Sequence, residues 1–167
     1  MPNPFKRSFL FCGVLFLLAN ACSASEKKIN VETGKIFKSH FVASNGKQGD
    51  FTFEMPSDIS EDKPYGLLIY LHGDGAGDYP WSFKTIRRVA AQRRLIPIAI
   101  MSPNFNEGEP CWWSEGNTAA VYLDELLHKE ILNKYSIDKT RVVFSGISGG
   151  STFLTGPWIR HYAWEYQ

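Results

Sequence analysis

Residues 141–156 read RVVFSGISGGSTFLTG, and this stretch decides the fold because an apolar run breaks into glycines around a serine. The β-branched and aromatic residues at its start suit a buried strand. Gly146, Gly149 and Gly150 lack the Cβ atoms that would collide in a sharp turn from strand to helix. The pattern G-x-S-x-G predicts that such a turn exposes the hydroxyl of Ser148. A glycine-rich turn with an incidental serine is the alternative, so the rest of the chain must decide.

The composition indicates a globular protein. The chain has 167 residues, of which 44% are hydrophobic, and its net charge is only +1. The densest basic cluster, within residues 87–94, falls on a predicted amphipathic helix and suits its solvated face. We therefore expect no nucleic-acid partner. No His, Cys, Asp or Glu spacing resembles a metal site and no phosphate-binding glycine loop follows a strand, so we expect no metal and no cofactor.

Residues 1–22 predict a signal peptide. Lys6 and Arg7 precede the apolar run FLFCGVLFLLA at residues 9–19, which is too short to span a bilayer. The following stretch LLANAC resembles a bacterial lipoprotein signal, in which the cysteine, here Cys22, becomes the lipidated first residue. Ordinary cleavage and free secretion remain the alternative. The sequence predicts export in both cases, with membrane attachment only through a lipid on Cys22.

The remaining chain predicts one α/β domain. Residues 23–38 are polar and suggest a tether or the start of an edge strand, and the domain is assigned to residues 39–167. Strand-like and helix-like segments alternate after a first hairpin, which is typical of βαβ units around a parallel sheet. The predicted strands lie at 40–55 (a hairpin), 66–73, 96–103 and 141–145, and the helices begin at caps Ser82 and Asn117.

Four segments together resemble the α/β-hydrolase superfamily, and more narrowly its secreted esterases of the poly(3-hydroxybutyrate) depolymerase and feruloyl esterase type. They are LLIYLHGDGAGD at 67–78, the strand end Ser102-Pro103, CWWSEGN at 111–117 and YSIDKTRVVFSGISGG at 135–150. The resemblance implies a mostly parallel sheet with flanking helices, of which this chain would hold the N-terminal part. The implied substrate is a small or polymeric ester, and the sequence leaves the oligomeric state undetermined.

The resemblance also assigns roles at the site. Ser148 is the implied nucleophile, and the amide of Gly149 with that of Asp74, or Gly73, forms the implied oxyanion hole. Fixed N–H donors stabilise the negative charge that develops on the carbonyl oxygen during ester hydrolysis. His72 is expected to orient its loop structurally, without acting as the base. The glycines on either side of the serine, Gly146 and Gly150, are structural.

Two tryptophans and a cysteine lie on the loop after the second buried strand. Ligands of open α/β sheets bind at the carboxyl ends of the strands. Trp112 and Trp113 therefore either line a substrate pocket or pack the loop onto the domain. Cys111 has no obvious partner within the chain, which is unusual for an exported protein.

The sequence departs from the family pattern after the serine. In α/β-hydrolases an Asp or Glu and then a His follow the nucleophile, and neither is found here in the expected context. His40 and His128 are expected at the surface, and a helix from Ser148 to His161 would separate them by about 20 Å. We expect a shortened hydrolase that is inactive alone. The alternatives are a non-catalytic lipoprotein or inactive fragment, and a serine peptidase of the prolyl-peptidase type.

Overall fold

A computed structural model describes residues 34–103 and 109–166. The predicted signal peptide and Cys22 lie outside the described residues. The strands are β1 (Lys35–Val42), β2 (Gln48–Met55), β3 (Tyr65–Leu71), β4 (Leu95–Ile100) and β5 (Ile137–Gly146). The helices are α1 (Tyr79–Arg93), α2 (Gly116–Leu126), α3 (Gly149–Phe153) and α4 (Ile159–His161), with wider π turns at Leu127–Leu132 and Leu154–Trp158 and a 3-10 turn at Ala163–Tyr166.

The five strands form one mixed sheet in the order β1-β2-β4-β3-β5. Strand β3 is parallel to β4 and to β5, whereas the hairpin of β1 and β2 joins β4 in antiparallel orientation. Every residue of β3 and β4 is buried, as expected for strands covered on both faces. The predicted α/β class with a mostly parallel sheet is confirmed.

Alternate residues of the central strands divide the interior into two layers. Leu67, Ile69 and Leu71 of β3 pack in the larger core with the apolar face of α2. Leu68 and Tyr70 point to the opposite face and pack in a smaller core with α1. This division places the carboxyl end of β3, where the site lies, between two helical layers.

Several boundaries differ from the predictions. Strand β1 begins at Lys35, inside the predicted tether of residues 23–38, because Lys35 already pairs with Met55 of β2. Helix α1 begins at Tyr79 instead of being capped by Ser82, since a proline in its first turn supplies a helical φ. Ser82 instead lies inside the helix, and its hydroxyl is 2.9 Å from that of Tyr70.

The second helix and the last strand also differ in extent. Helix α2 begins at Gly116 without a side-chain cap, so the predicted cap at Asn117 is wrong. Strand β5 begins at Ile137 and pairs, among the described residues, with β3 alone. Its Val143 is 45% exposed. Within residues 34–103 and 109–166 no helix is long and apolar enough to cross a membrane.

Candidate active site

The turn between β5 and α3, residues 146–150, is called the elbow here. Ser148 lies at its tip with φ 46° and ψ −116°, a backbone conformation that side-chain-bearing residues rarely adopt, and it is exposed. A Cβ on Gly146 would lie 2.7 Å from the carbonyl carbon of Gly150. A Cβ on Gly150 would lie 2.5 Å from the carbonyl oxygen of Leu71. These two glycines therefore let the helix start directly above the end of β3.

The segment after β3, residues 72–78, is called the HG loop. It touches the elbow, since a Cβ on Gly73 would lie 3.4 Å from the Cβ of Ser148. A Cβ on Gly149 would lie 1.9 Å from a carboxylate oxygen of Asp74, so only glycine leaves that carboxylate its place. The structure thus brings together four predicted site residues, Ser148, Gly149, Gly73 and Asp74.

Asp78 holds the HG loop from within. Its carboxylate accepts the backbone N–H of Gly73 at 3.1 Å, and it also accepts the hydroxyls of Tyr70 and Ser82. Burial opposes its ionisation, but these bonds prevail and lower the pKa of Asp78. Burial and the carboxylate raise the pKa of Tyr70 to about 12, so its hydroxyl remains a donor at neutral pH. Asp78 is a site residue that the sequence analysis missed, although it ends the quoted HGDGAGD stretch.

Asp74 and Gly73 are the two candidates for the second backbone N–H of the predicted oxyanion hole, and their amides differ in hydrogen bonding. The amide of Gly73 is engaged with Asp78 at 3.1 Å. The amides of Asp74 and Gly149 have no acceptor among residues 34–103 and 109–166. This difference favours Asp74 over Gly73 as the partner of Gly149.

His72 is fully buried and both of its ring nitrogens are engaged. Nε2 accepts the backbone N–H of Ser102 at 2.8 Å, and Nδ1 lies 2.5 Å from the carbonyl oxygen of Gly73, which assigns the neutral Nδ1–H tautomer. Burial lowers the pKa of His72, and the carbonyl bond only partly opposes this. The ring therefore ties the HG loop to the end of β4, a structural position in keeping with its predicted role.

The two tryptophans have different surroundings. Trp112 is 0% exposed, and its ring packs against Phe153, Tyr122 and His72. The substrate-lining interpretation of Trp112 is corrected, because a side chain without exposed surface cannot touch a substrate in this conformation. Trp113 is 49% exposed and donates its indole N–H to the carboxylate of Asp74 at 3.1 Å. Trp113 alone thus lies beside the elbow.

The remaining histidines lie elsewhere. His40 is exposed and bonded to Asp50 at 2.7 Å, and His161 is exposed on α4. His128 lies at the surface as predicted, with its side chain 38% exposed and two carboxylates nearby. Within the part of the chain that the structure describes, no imidazole contacts Ser148. Cys111 is a free thiol of intermediate exposure.

Comparison with known proteins finds likeness in structure only. No protein-family model and no curated sequence matches the chain. Among solved structures, the feruloyl esterase module from Clostridium thermocellum, complexed with sinapinate, is 17% identical with a TM-score of 0.54, over 80% of this chain and 51% of that one. A thermostable esterase from Pseudomonas putida is 15% identical with a TM-score of 0.55, over 80% and 40%. Esterase Est22 is 16% identical with a TM-score of 0.54, over 75% and 38%.

These likenesses define the class of fold. The chain has the α/β-hydrolase fold of these esterases, which confirms the resemblance predicted from the sequence. It spans 38–51% of the length of the three solved structures.

Proposed function

We propose that this chain supplies the nucleophile and the oxyanion-binding amides of a serine carboxylic ester hydrolase. The observation that carries the proposal is the exposed Ser148 at a strained turn, directly before Gly149 and in contact with the HG loop that carries Asp74. Because both amides lack an acceptor among the described residues, they are available to a developing oxyanion.

The proposed reaction has two steps. The Oγ of Ser148 attacks the ester carbonyl carbon while its proton passes to a general base. The resulting oxyanion accepts hydrogen bonds from the two amide N–H groups. The alcohol then leaves with a proton, and an acyl-serine remains. Water attacks this ester in the same way and releases the acid and the free serine. The proposed reaction requires a general base and an orienting acid, and no imidazole among the described residues contacts Ser148.

Trp113 is the proposed wall for the acyl group. Its half-exposed ring lies beside Asp74, and its Cδ1 would be 3.1 Å from a Cβ on Gly149. A flat apolar surface here favours an extended or aromatic acyl chain over a charged one, because the Asp74 carboxylate repels anionic substrates. Substrates are therefore proposed to be neutral small-molecule or polymeric esters.

Covalent labelling with a fluorophosphonate probe tests this function. An unassisted serine is a weak nucleophile, so we expect little labelling of the 167-residue chain. The parent protein for this test is the product of the whole locus, including any coding sequence after Gln167. We expect the probe to label this parent protein and Ser148→Ala to abolish the labelling. Hydrolysis of p-nitrophenyl butyrate should then fall by about 10⁴-fold or more.

Ser151→Ala is the matched control, because Ser151 is also exposed and lies one turn further along the same segment. Its labelling and turnover should match the parent. Full hydrolysis by Ser148→Ala would remove the serine from the mechanism and contradict the proposal.

A second candidate is a non-catalytic binding protein with the same fold. It is favoured by the lack of any imidazole next to Ser148 among the described residues. Strong labelling of the 167-residue chain by the probe would exclude it, because that result demands an activated serine.

Export and lipidation of Cys22 belong to the same proposal. The supporting feature is the apolar run and the LLANAC stretch at residues 17–22. Metabolic labelling with radioactive palmitate should mark the parent chain and leave Cys22→Ser unlabelled, whereas free secretion predicts no label on either.

A further inference from the structure

A cluster of three possible metal ligands lies on the helical layer. Asp124 and His128 are one turn apart on α2 and the wider turn that continues it, and Glu165 lies on the 3-10 turn Ala163–Tyr166. One side-chain ligand atom from each of the three lies within 4.8 Å of the other two. Two elements distant in sequence therefore converge on one point.

The distances within this Asp124 cluster are too long for direct hydrogen bonds. Nε2 of His128 is 3.5 Å from Oδ1 of Asp124 and 3.7 Å from Oε2 of Glu165. Hydrogen bonds from nitrogen to oxygen fall at about 2.7–3.2 Å. A tetrahedral ion with bonds of about 2.0–2.2 Å instead holds its ligand atoms about 3.3–3.6 Å apart. The imidazole thus lies at nearly the ligand-to-ligand spacing from each carboxylate, and the two carboxylate oxygens lie within 4.8 Å of each other.

Neighbouring groups fix this arrangement. The hydroxyl of Tyr166 donates to Oδ1 of Asp124 at 3.2 Å. The ring of Tyr166 also packs on Phe144 and Trp158, with centroids 5.3 and 5.6 Å away. Glu165, the next residue in the chain, is thereby held close to α2. Such hydrogen bonds to a ligand carboxylate orient it and are a regular feature of protein metal sites.

The charges and the burial also fit a cation. The side chains of Asp124, His128 and Glu165 are only 22%, 38% and 31% exposed, so solvent screens the two carboxylates incompletely. The two carboxylates carry negative charge, which a divalent ion neutralises. An imidazole among the ligands favours zinc-type ions over magnesium and calcium, which prefer oxygen throughout.

We propose that Asp124, His128 and Glu165 form a binding site for a divalent transition-metal ion of the zinc class. The ion ties the 3-10 turn to α2 with three protein ligands and leaves a fourth position for solvent. The proposal departs from the expectation of no metal site, because the approach of Glu165 to Asp124 and His128 depends on the tertiary structure. The proposal is independent of the proposed function.

Calorimetric titration of the full chain tests the site. Cysteine thiolates also bind zinc, so all three cysteines are replaced by serine in every protein used and trace metal is removed with a chelator. We expect saturable one-to-one binding of Zn²⁺, with a rise in the thermal unfolding midpoint, and no comparable binding of Mg²⁺. No one-to-one binding of Zn²⁺, or equal binding of Mg²⁺, would overturn the proposal.

Substitutions then locate the ion. His128→Gln and Glu165→Gln should each weaken Zn²⁺ binding by about tenfold or more, the scale known even for outer ligand partners. Tetrahedral Co²⁺ absorption in the parent should lose intensity in His128→Gln. His40→Gln is the matched control, because His40 pairs with Asp50 at 2.7 Å yet forms no group of three His, Cys, Asp or Glu ligands among the described residues. The Zn²⁺ affinity of this variant should be unchanged.

Folding of the variants is checked by circular dichroism without metal. Glu165→Gln is the decisive variant, because it removes the charge while it keeps the size of the side chain and leaves the apolar packing of Tyr166 in place. A folded Glu165→Gln that binds Zn²⁺ as tightly as the parent would refute the assigned ligand set.

Discussion

The elbow and the HG loop meet at Ser148, but opposite means hold them in place. The elbow depends on missing side chains, since Gly146 and Gly150 leave room for backbone that any Cβ would strike. The HG loop depends on side chains that are present, since Asp78 binds the amide of Gly73 and His72 binds the start of the next loop. The two halves of the proposed oxyanion site are thus fixed by exclusion on one side and by hydrogen bonds on the other.

This difference predicts different responses to substitution. A position fixed by exclusion tolerates no added atom, and the cost is repulsion against backbone that cannot move. A position fixed by hydrogen bonds tolerates a change of size better, and the cost is buried donors without acceptors. Substitutions on each side can therefore be ranked by size, and each has a control within the same segment.

Gly150→Ala is expected to have the largest effect on stability. Its Cβ would lie 2.5 and 2.7 Å from the carbonyl oxygens of Leu71 and His72, so α3 must move away from β3. We expect a loss of about 3 kcal/mol in the free energy of unfolding, the upper end for overpacking. Urea denaturation followed by circular dichroism measures it.

Gly156→Ala is the control, because nothing lies within 4 Å of a Cβ at that position. Its stability should stay within about 1 kcal/mol of the parent or rise, since alanine favours helical backbone over glycine. Equal stability of the two variants would show that exclusion does not fix the elbow.

Asp78→Ala should have the next largest effect. It leaves the hydroxyls of Tyr70 and Ser82 and the amide of Gly73 without their carboxylate acceptor. We expect a loss of about 2 kcal/mol in the free energy of unfolding. Asp62→Ala, at an exposed position, should cost little. Hydrogen exchange should show that the Gly73 amide loses protection in Asp78→Ala and keeps it in Asp62→Ala. Retained protection in Asp78→Ala would contradict the role of Asp78.

The same contrast explains what the sequence could predict. The elbow was predictable because its cause is local: three glycines and a serine at fixed spacing define the turn. The parallel orientation of β3, β4 and β5 was predictable from the alternation of apolar strand segments with helical segments along the chain. The hydrogen bonds that Asp78 accepts were not predictable, because they depend on how other elements pack. Their donors include Tyr70 on β3 and Ser82 near the start of α1.

Errors at the element ends have equally physical causes. Lys35 begins a strand inside the predicted tether because cross-strand pairing with Met55 determines the edge. Trp112 and Trp113 are adjacent and identical in type, yet one is buried and one exposed. No local signal separates them, because Trp112 packs against Tyr122 and Phe153, whereas Trp113 bonds to Asp74 of the HG loop.

The pH dependence of stability tests the hydrogen-bonded side more finely. Burial lowers the pKa of His72 in the folded chain, so the unfolded chain binds the proton more readily. The contribution of His72 to stability is therefore complete above its ordinary pKa of about 6.5 and is lost as the pH falls through and below that value. Asp74 and Asp78 both favour the protonated ring and limit the loss.

His72→Gln should remove this dependence. The parent should lose stability between about pH 6.5 and 5 relative to the variant, with a slope of no more than about 1.4 kcal/mol per pH unit. His40→Gln is the control, because His40 affects the pH dependence of stability in the opposite direction. The hydrogen bond from His40 to Asp50 raises the pKa of His40 and so adds stability at low pH, which the variant should lose. If the stability of the parent and that of His72→Gln changed with pH in the same way, protonation of the buried His72 ring would not be linked to unfolding.

Trp113→Phe should have the smallest effect and joins the two sides of the comparison. The indole N–H holds the carboxylate of Asp74 at 3.1 Å, over a position where only Gly149 leaves space. Because Trp113 is 49% exposed, the lost bond should cost less than about 1 kcal/mol in the free energy of unfolding. Freed from the indole, the carboxylate can swing away from the elbow, so the amide resonance of Gly149 should shift in NMR spectra. Trp81→Phe, at an exposed tryptophan on α1, should leave that resonance unchanged, and equal spectra for both variants would mean that the indole does not position Asp74.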